Sequence, residues 1–131
     1  MRKLDQRGMA AFEFCLVAVP LFTLMFAIFD LGRYAITMQS LRTLAGAGAR
    51  AIMINCYTTA AIQKTTPACG GDPLPSAAAK KAVAPMLLTP TLNTTAGATA
   101  LTVTASASFN MLMPIWGTAL NAPSASTKIP F

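Results

Sequence analysis

Histidine is absent from this chain, which removes the commonest general base and the commonest metal ligand. Acidic residues are almost absent too. Asp5, Glu13, Asp30 and Asp72 are the only four, and their wide separation argues against a paired-carboxylate site. No Cys-x-x-Cys, no glycine-rich phosphate loop and no Gly-x-Ser-x-Gly occurs, so the usual motifs of redox, nucleotide and acyl-transfer chemistry are missing. These absences point away from an enzyme. Charge is scarce overall, at 11% of residues against about 25% in ordinary globular chains. Nucleic acid is not an expected partner despite the net charge of +6. The basic residues are spread thinly, with local groups only at Arg2, Lys3 and Arg7 and at Lys80-Lys81, and no basic stripe is interleaved with aromatics.

What is present is apolar. Hydrophobic residues make up 54% of 131 residues and the mean hydropathy is +0.54, the balance of a membrane-associated chain with room for one domain. From Phe14 to Phe29 there is no charge at all. That run spans about 24 Å as a helix, and residues 9–32 span roughly 36 Å, enough to cross a hydrocarbon core of about 30 Å. A cleaved secretory signal would have a shorter apolar core and a small-x-small cleavage site after it; here the run ends in Phe29-Asp30-Leu31. Arg2, Lys3 and Arg7 are denser before the run than Arg33, Arg42 and Arg50 are after it, which favours a cytoplasmic N-terminus. Glu13 stands at the mouth of the apolar run. It either snorkels to the headgroups or meets a cation, a free amine or a basic side chain of a neighbouring chain. Pro20 removes a helical hydrogen bond and is expected to break the helix locally.

After Asp30 the pattern becomes amphipathic. Leu31, Tyr34, Ala35, Met38, Leu41, Ala45, Ala49, Ile52 and Cys56 recur at spacings of three and four, one stripe of a helix. One long helix from about Met9 to about Asn55 is therefore expected. Asp30 and Arg33, three apart, can pair on its surface at the membrane exit. Arg42 is expected within the apolar stripe, its stem packed and its head snorkelling. Gly46 and Gly48 weaken the helix, and small residues in such a run permit close approach of another backbone.

Beyond the helix, Cys56 and Cys69 flank a short loop. They form a disulfide if this region lies outside the cytoplasm, and are two free thiols otherwise. Cys15 reads as a packed thiol of the membrane helix. Ser76 can cap a short helix over Ala77–Ala84, with Lys80-Lys81 on a solvated face. Leu101–Asn110 alternates apolar and polar residues strictly, the mark of a strand buried on one side. Leu87–Thr95 is a weaker strand with Pro90 at an edge or bulge, Ala96-Gly97 a turn, Pro114-Ile115-Trp116 part of an apolar loop, and Ser124–Ile129 a returning strand. The fold class is α+β: a long N-terminal helix, transmembrane in its first half and amphipathic in its second, packed on a small antiparallel sheet. The organisation is a basic leader over residues 1–8, a membrane segment over 9–32, an amphipathic continuation over 33–56 and a small α+β region over 57–131.

These residues resemble the TadE-like proteins, minor pilins or pseudopilins of the tight-adherence (Flp) branch of the type IV pilus systems. Arg7-Gly8-Met9-Ala10-Ala11-Phe12-Glu13-Phe14 is similar to that family's processing site. Leu16-Val17-Ala18-Val19-Pro20-Leu21 resembles its apolar core, Asp30-Leu31-Gly32-Arg33 its step at the membrane exit, and Leu44–Ala51 its alanine-rich Gly-Ala-Arg segment. The resemblance implies cleavage between Gly8 and Met9 by a prepilin peptidase. It implies that Glu13, then the fifth mature residue, sets subunit register during assembly. It further implies a bacterial inner-membrane location with the C-terminal region periplasmic, and incorporation into or priming of an adhesive pilus. The partners would be other pilin or pseudopilin subunits, the prepilin peptidase, the inner-membrane assembly platform and the lipid bilayer. A rival reading is an uncleaved single-pass scaffold or binding subunit of a pilus or secretion system. A tethered enzyme would need a polar cluster that the ectodomain sequence lacks.

Overall fold

The computed structural model describes residues 6–113 and 117–131. Arg2, Lys3, Asp5, the Arg7 side chain and Pro114-Ile115-Trp116 lie outside what is described. Helix α1 runs Gln6–Ile52. It passes into a π-helical turn, Met53–Tyr57, and then into α2, Thr58–Ile62. Together they run as one helix without a break from Gln6 to Ile62, roughly 85 Å. It starts earlier and ends later than the sequence suggests. Gly8 alone opposes helix by about 1 kcal/mol, too little to set a boundary against the strongly helix-forming residues around it. The stop comes at Lys64, which takes a left-handed φ of 54°. There Thr65 N–H donates to the Ala60 carbonyl at 3.0 Å and Lys64 N–H to the Ala61 carbonyl at 3.2 Å, a Schellman closure with lysine where glycine is usual.

Pro20 does not break α1; the helix is continuous through it. The ring costs the Leu16 carbonyl its donor, but helix on both sides holds the path. One turn on, the Thr23 hydroxyl donates back to the Val19 carbonyl.

Three strands form one antiparallel sheet in the order β1-β2-β3: β1 Thr91–Ala96, β2 Ala100–Ser106 and β3 Ser124–Pro130. Val103 on the central strand stands opposite Thr94 on one side and Thr127 on the other. Alternation decides what each face does. Leu92, Leu101, Val103, Ala105 and Ile129 turn inward and are buried. Asn93, Thr95, Ser124, Ser126 and Lys128 lie exposed on the other face. β1 starts at Thr91, later than the expected Leu87, because Pro90 has no N–H to offer the ladder. Leu87 instead enters the core from the preceding turn. β2 ends at Ser106, but its alternation runs on: Ala107 and Phe109 are buried, and their N–H groups donate to the Pro123 and Asn121 carbonyls.

The inward face packs on the second half of α1. Leu41, Leu44 and Ala45 are fully buried there, and Ala49 and Ile52 nearly so. Arg42 is exposed, contrary to the sequence expectation, since at 100° per residue it falls outside the arc that Leu41, Leu44 and Ala45 define. Leu31 and Ala35 are exposed for the same reason. Gly48 lets the sheet approach. A Cβ there would lie 2.8 Å from Leu92 Cδ2, 3.1 Å from Val103 Cγ1 and 3.2 Å from Pro73 Cγ. Gly46 meets nothing within 4 Å.

The connection between α2 and β1 carries α3, Ala77–Val83, whose N-cap Ser76 Oγ accepts from Ala79 N–H at 3.4 Å. Lys80 does not sit on a solvated face as expected: its ammonium pairs with Asp72, which also accepts from Leu74 N–H at 3.0 Å. Lys81 is exposed.

Candidate functional site

The first half of α1 takes no part in the core. Its most apolar 18-residue window has a mean hydropathy of 2.3 and is only 6% buried within the fold. Phe12, Phe14, Leu16, Val17, Val19, Leu21, Leu24 and Ile28 all lie open. A surface so apolar is stable only against lipid or other apolar helices. The helix is thus long and apolar enough to cross a membrane. Gly8, Met9 and Glu13 lie exposed at its start, and nothing comes within 4 Å of a Cβ built at Gly8. Met9 and Glu13 are four residues apart in unbroken helix, so they share one face.

The apolar run ends at a second cluster. Asp30 is fully buried, although the sequence suggests only a surface pair. Its Oδ1 accepts from Leu112 N–H at 3.1 Å and its Oδ2 from Met113 N–H at 2.9 Å. Both carboxylate oxygens therefore hold the loop that follows β2 to the side of α1. Arg33 Nη1 lies 3.5 Å from Asp30 Oδ1, and its guanidinium stands 5.4 Å from the centroid of the Phe109 ring. Tyr34 meets that same ring edge-on, with centroids 5.7 Å apart. A buried carboxylate is costly unless its oxygens are satisfied. Here two charge-assisted backbone bonds and an arginine satisfy it. The Arg33 side chain keeps 49% of its exposure.

Sequence reasoning found Asp30 and Arg33 but missed Tyr34, Phe109 and the two loop N–H groups as their partners. One signal was available. Asp30, Tyr34, Met38 and Leu41 step by four, four and three, which puts the acid in phase with the buried stripe rather than on the solvent side.

At the far end, Cys56 and Cys69 are joined by a disulfide with their Cα atoms 6.0 Å apart. Cys56 sits within the π-helical turn, where Thr58 N–H reaches back to the Met53 carbonyl and the Thr58 hydroxyl bonds it at 2.6 Å. Cys69 is buried in the core. Cys15 is free and exposed on the apolar half of the helix, not packed within the fold. Among the described residues no group of three or more histidine, cysteine or acidic side chains gathers where it could hold a metal ion.

Comparison with curated proteins and with solved structures gives no match. Residues 8–50, which run from the glycine before Met9 through the apolar half of α1 and the Asp30–Arg33 step to the end of the Gly-Ala-Arg segment, match the family model described as TadE-like protein, and over this segment the chain is similar to that family.

Proposed function

We propose that the chain is a minor pilin or pseudopilin of a tight-adherence pilus. In this reading a prepilin peptidase cuts between Gly8 and Met9, and the mature helix is anchored in the bacterial inner membrane with the sheet on the periplasmic side. The observation that carries the reading is the joint form of α1 and the TadE-like match: an unsupported apolar half-helix, open on all sides, continuous with a half-helix that forms the core of a small head. Such a subunit is built to pass from lipid into a bundle of like helices, because the same apolar surface is satisfied by either.

Cleavage would create an amine at Met9, one helical turn from Glu13 and on the same face. The carboxylate can pair with that amine or with the amine of a neighbouring subunit. Either pairing offsets the cost of placing a carboxylate beside lipid, about 2.5–3.5 kcal/mol at mid-membrane and less near an interface. Pairing between subunits would set their axial register. The disulfide supports the periplasmic placement of the head, since such bonds persist in oxidising compartments.

Intact-mass measurement of the membrane-extracted protein, with and without co-expressed prepilin peptidase, tests the processing. The expected result is loss of residues 1–8 only when the peptidase is present, and no loss in a Gly8→Ala variant. An intact leader in both samples would favour the uncleaved scaffold instead.

A further inference from the structure

We propose that the head does not stand clear of the membrane but rests on it, with Leu88 and Leu112 in the headgroup layer and Arg33 on a phospholipid phosphate. This rests on the reading of α1 as membrane-spanning. The apolar run ends at Asp30, and Asp30 is bonded to the backbone of Leu112 and Met113. Leu112 is therefore held at the level where the helix would leave lipid, and its side chain is exposed. Beside it an open groove of about 400 Å³ is lined by Arg33, Ile36, Met86, Leu88, Ser108 and Asn110, among others. Leu88 is 96% exposed and Met86 74%. Three large apolar side chains are thus presented to solvent from two separate loops, at the one end of the head where a bilayer surface would be.

Apolar tips beside a cation are the composition of an interfacial contact, in which side chains enter the acyl boundary and a basic group meets the phosphate layer. Arg33 meets Asp30 through Nη1 alone and keeps 49% of its side-chain exposure, so its other guanidinium N–H groups are free to donate to a phosphate. Ser108 and Asn110 add hydroxyl and amide groups to the same groove. Charge agrees: residues 30–131 hold seven lysines and arginines against two aspartates, a surplus that favours an anionic surface. Along β2 and the loop after it, Val103 packs by Gly48, Phe109 by Tyr34 and Leu112 by Asp30, so this strand runs antiparallel to α1 and its Ser106 end would face the bilayer.

The test uses the full chain, with Cys15→Ala, reconstituted into vesicles of phosphatidylcholine and phosphatidylglycerol. Spin labels are placed one at a time at Leu21→Cys, Leu88→Cys, Leu112→Cys and Ile62→Cys, and their accessibility to oxygen and to a water-soluble nickel chelate is compared. The expected result is lipid depth at 21, headgroup depth at 88 and 112, and water at 62. Lipid depth at 21 with fully aqueous labels at 88 and 112 would overturn the resting contact while leaving the membrane helix intact. An aqueous label at 21 would overturn both. Leu88→Ser, at a position too exposed to affect folding, is expected to raise nickel accessibility at 112 several-fold; no change would count against the contact. Arg33→Gln is expected to do the same at 88 in phosphatidylglycerol vesicles, with Arg33→Lys restoring the depth. Equal depth in wild type and Arg33→Gln, or displacement of the label by inorganic phosphate, would overturn the assignment of a lipid phosphate to Arg33.

Discussion

The residue with the most unusual position is Asp30, an acid with no exposure in a chain that has only four acids. Its two oxygens organise the loop after β2, so Asp30→Ala would leave two loop N–H groups without their partner and Arg33 without its nearest anion. An unmet buried donor costs about 1–3 kcal/mol, and partial hydration at this loop reduces the sum. The expected loss is about 2–3 kcal/mol, read by thermal unfolding in detergent; an unchanged midpoint would mean the loop is held by other contacts. Gly48 and Gly46 make a paired test. Alanine at either gains about 1 kcal/mol of helix propensity. At position 48 the added methyl meets three side chains at once, and Val103 and Pro73 are stiff neighbours, so overpacking of about 1–3 kcal/mol should win. Gly48→Ala is expected to destabilise and Gly46→Ala to stabilise, both read by urea unfolding. The sequence marks both glycines as close-approach sites; only the phase of the helix against the sheet tells them apart, and that phase is set by Leu41, Leu44 and Ala45. The pairing of Asp30 with N–H groups 82 and 83 residues away is illegible for a deeper reason. Backbone donors are the same in every residue, so no side-chain pattern announces which of them a distant carboxylate will meet.

At the scale of elements, periodicity carried most of the information. The strict alternation of Leu101–Phe109 reads through into burial on one face, and the three-four spacing after Met38 reads into the core stripe. Boundaries were less legible, because Gly8 and Pro20 are local signals that a long cooperative helix overrides. The least regular part of the helix is the junction of α1, the π-helical turn and α2. A π-helical turn is rare and occurs mostly as a single-turn interruption of an α-helix, and here it carries Cys56. The disulfide to Cys69 ties this end of the helix to the core across a separation of 13 residues. Closing a loop of that size contributes about 3 kcal/mol in the chain-entropy model. Cys56→Ala with Cys69→Ala is therefore expected to lower the melting temperature by about 15 °C, measured by circular dichroism. Loss of helical signal before the main transition would show that the junction unfolds first.

On the scale of the whole molecule, one helix has two halves with different surfaces. Among the described residues none of α1 from Gly8 to Phe29 is buried, and those from Met38 onward supply the helical side of the core. Asp30 marks the change, with its carboxylate bonded to the head. Composition made this division legible, since the uncharged run stops at the same residue where the buried stripe begins. The division has a consequence for independent folding. If no core contact comes from the first half, a chain beginning at Phe29 keeps Asp30, its loop, the whole stripe and the disulfide. It loses only the support that the preceding turns give to the start of the helix, a fraying effect confined to the first turn or two. Such a chain is expected to be soluble, with the dispersed amide spectrum of a packed sheet and a melting temperature within a few degrees of the head in the full protein. A chain that begins at Ile36 removes Asp30, Arg33 and Tyr34 together and should fold less stably, by about the same 2–3 kcal/mol assigned to Asp30→Ala plus the lost Tyr34–Phe109 contact of about 0.5–1.5 kcal/mol. If the Phe29 chain also proved unfolded, the apolar half-helix would have to stabilise the head through contacts that the exposed surfaces of residues 9–29 do not make, and the separation of the two halves would fail.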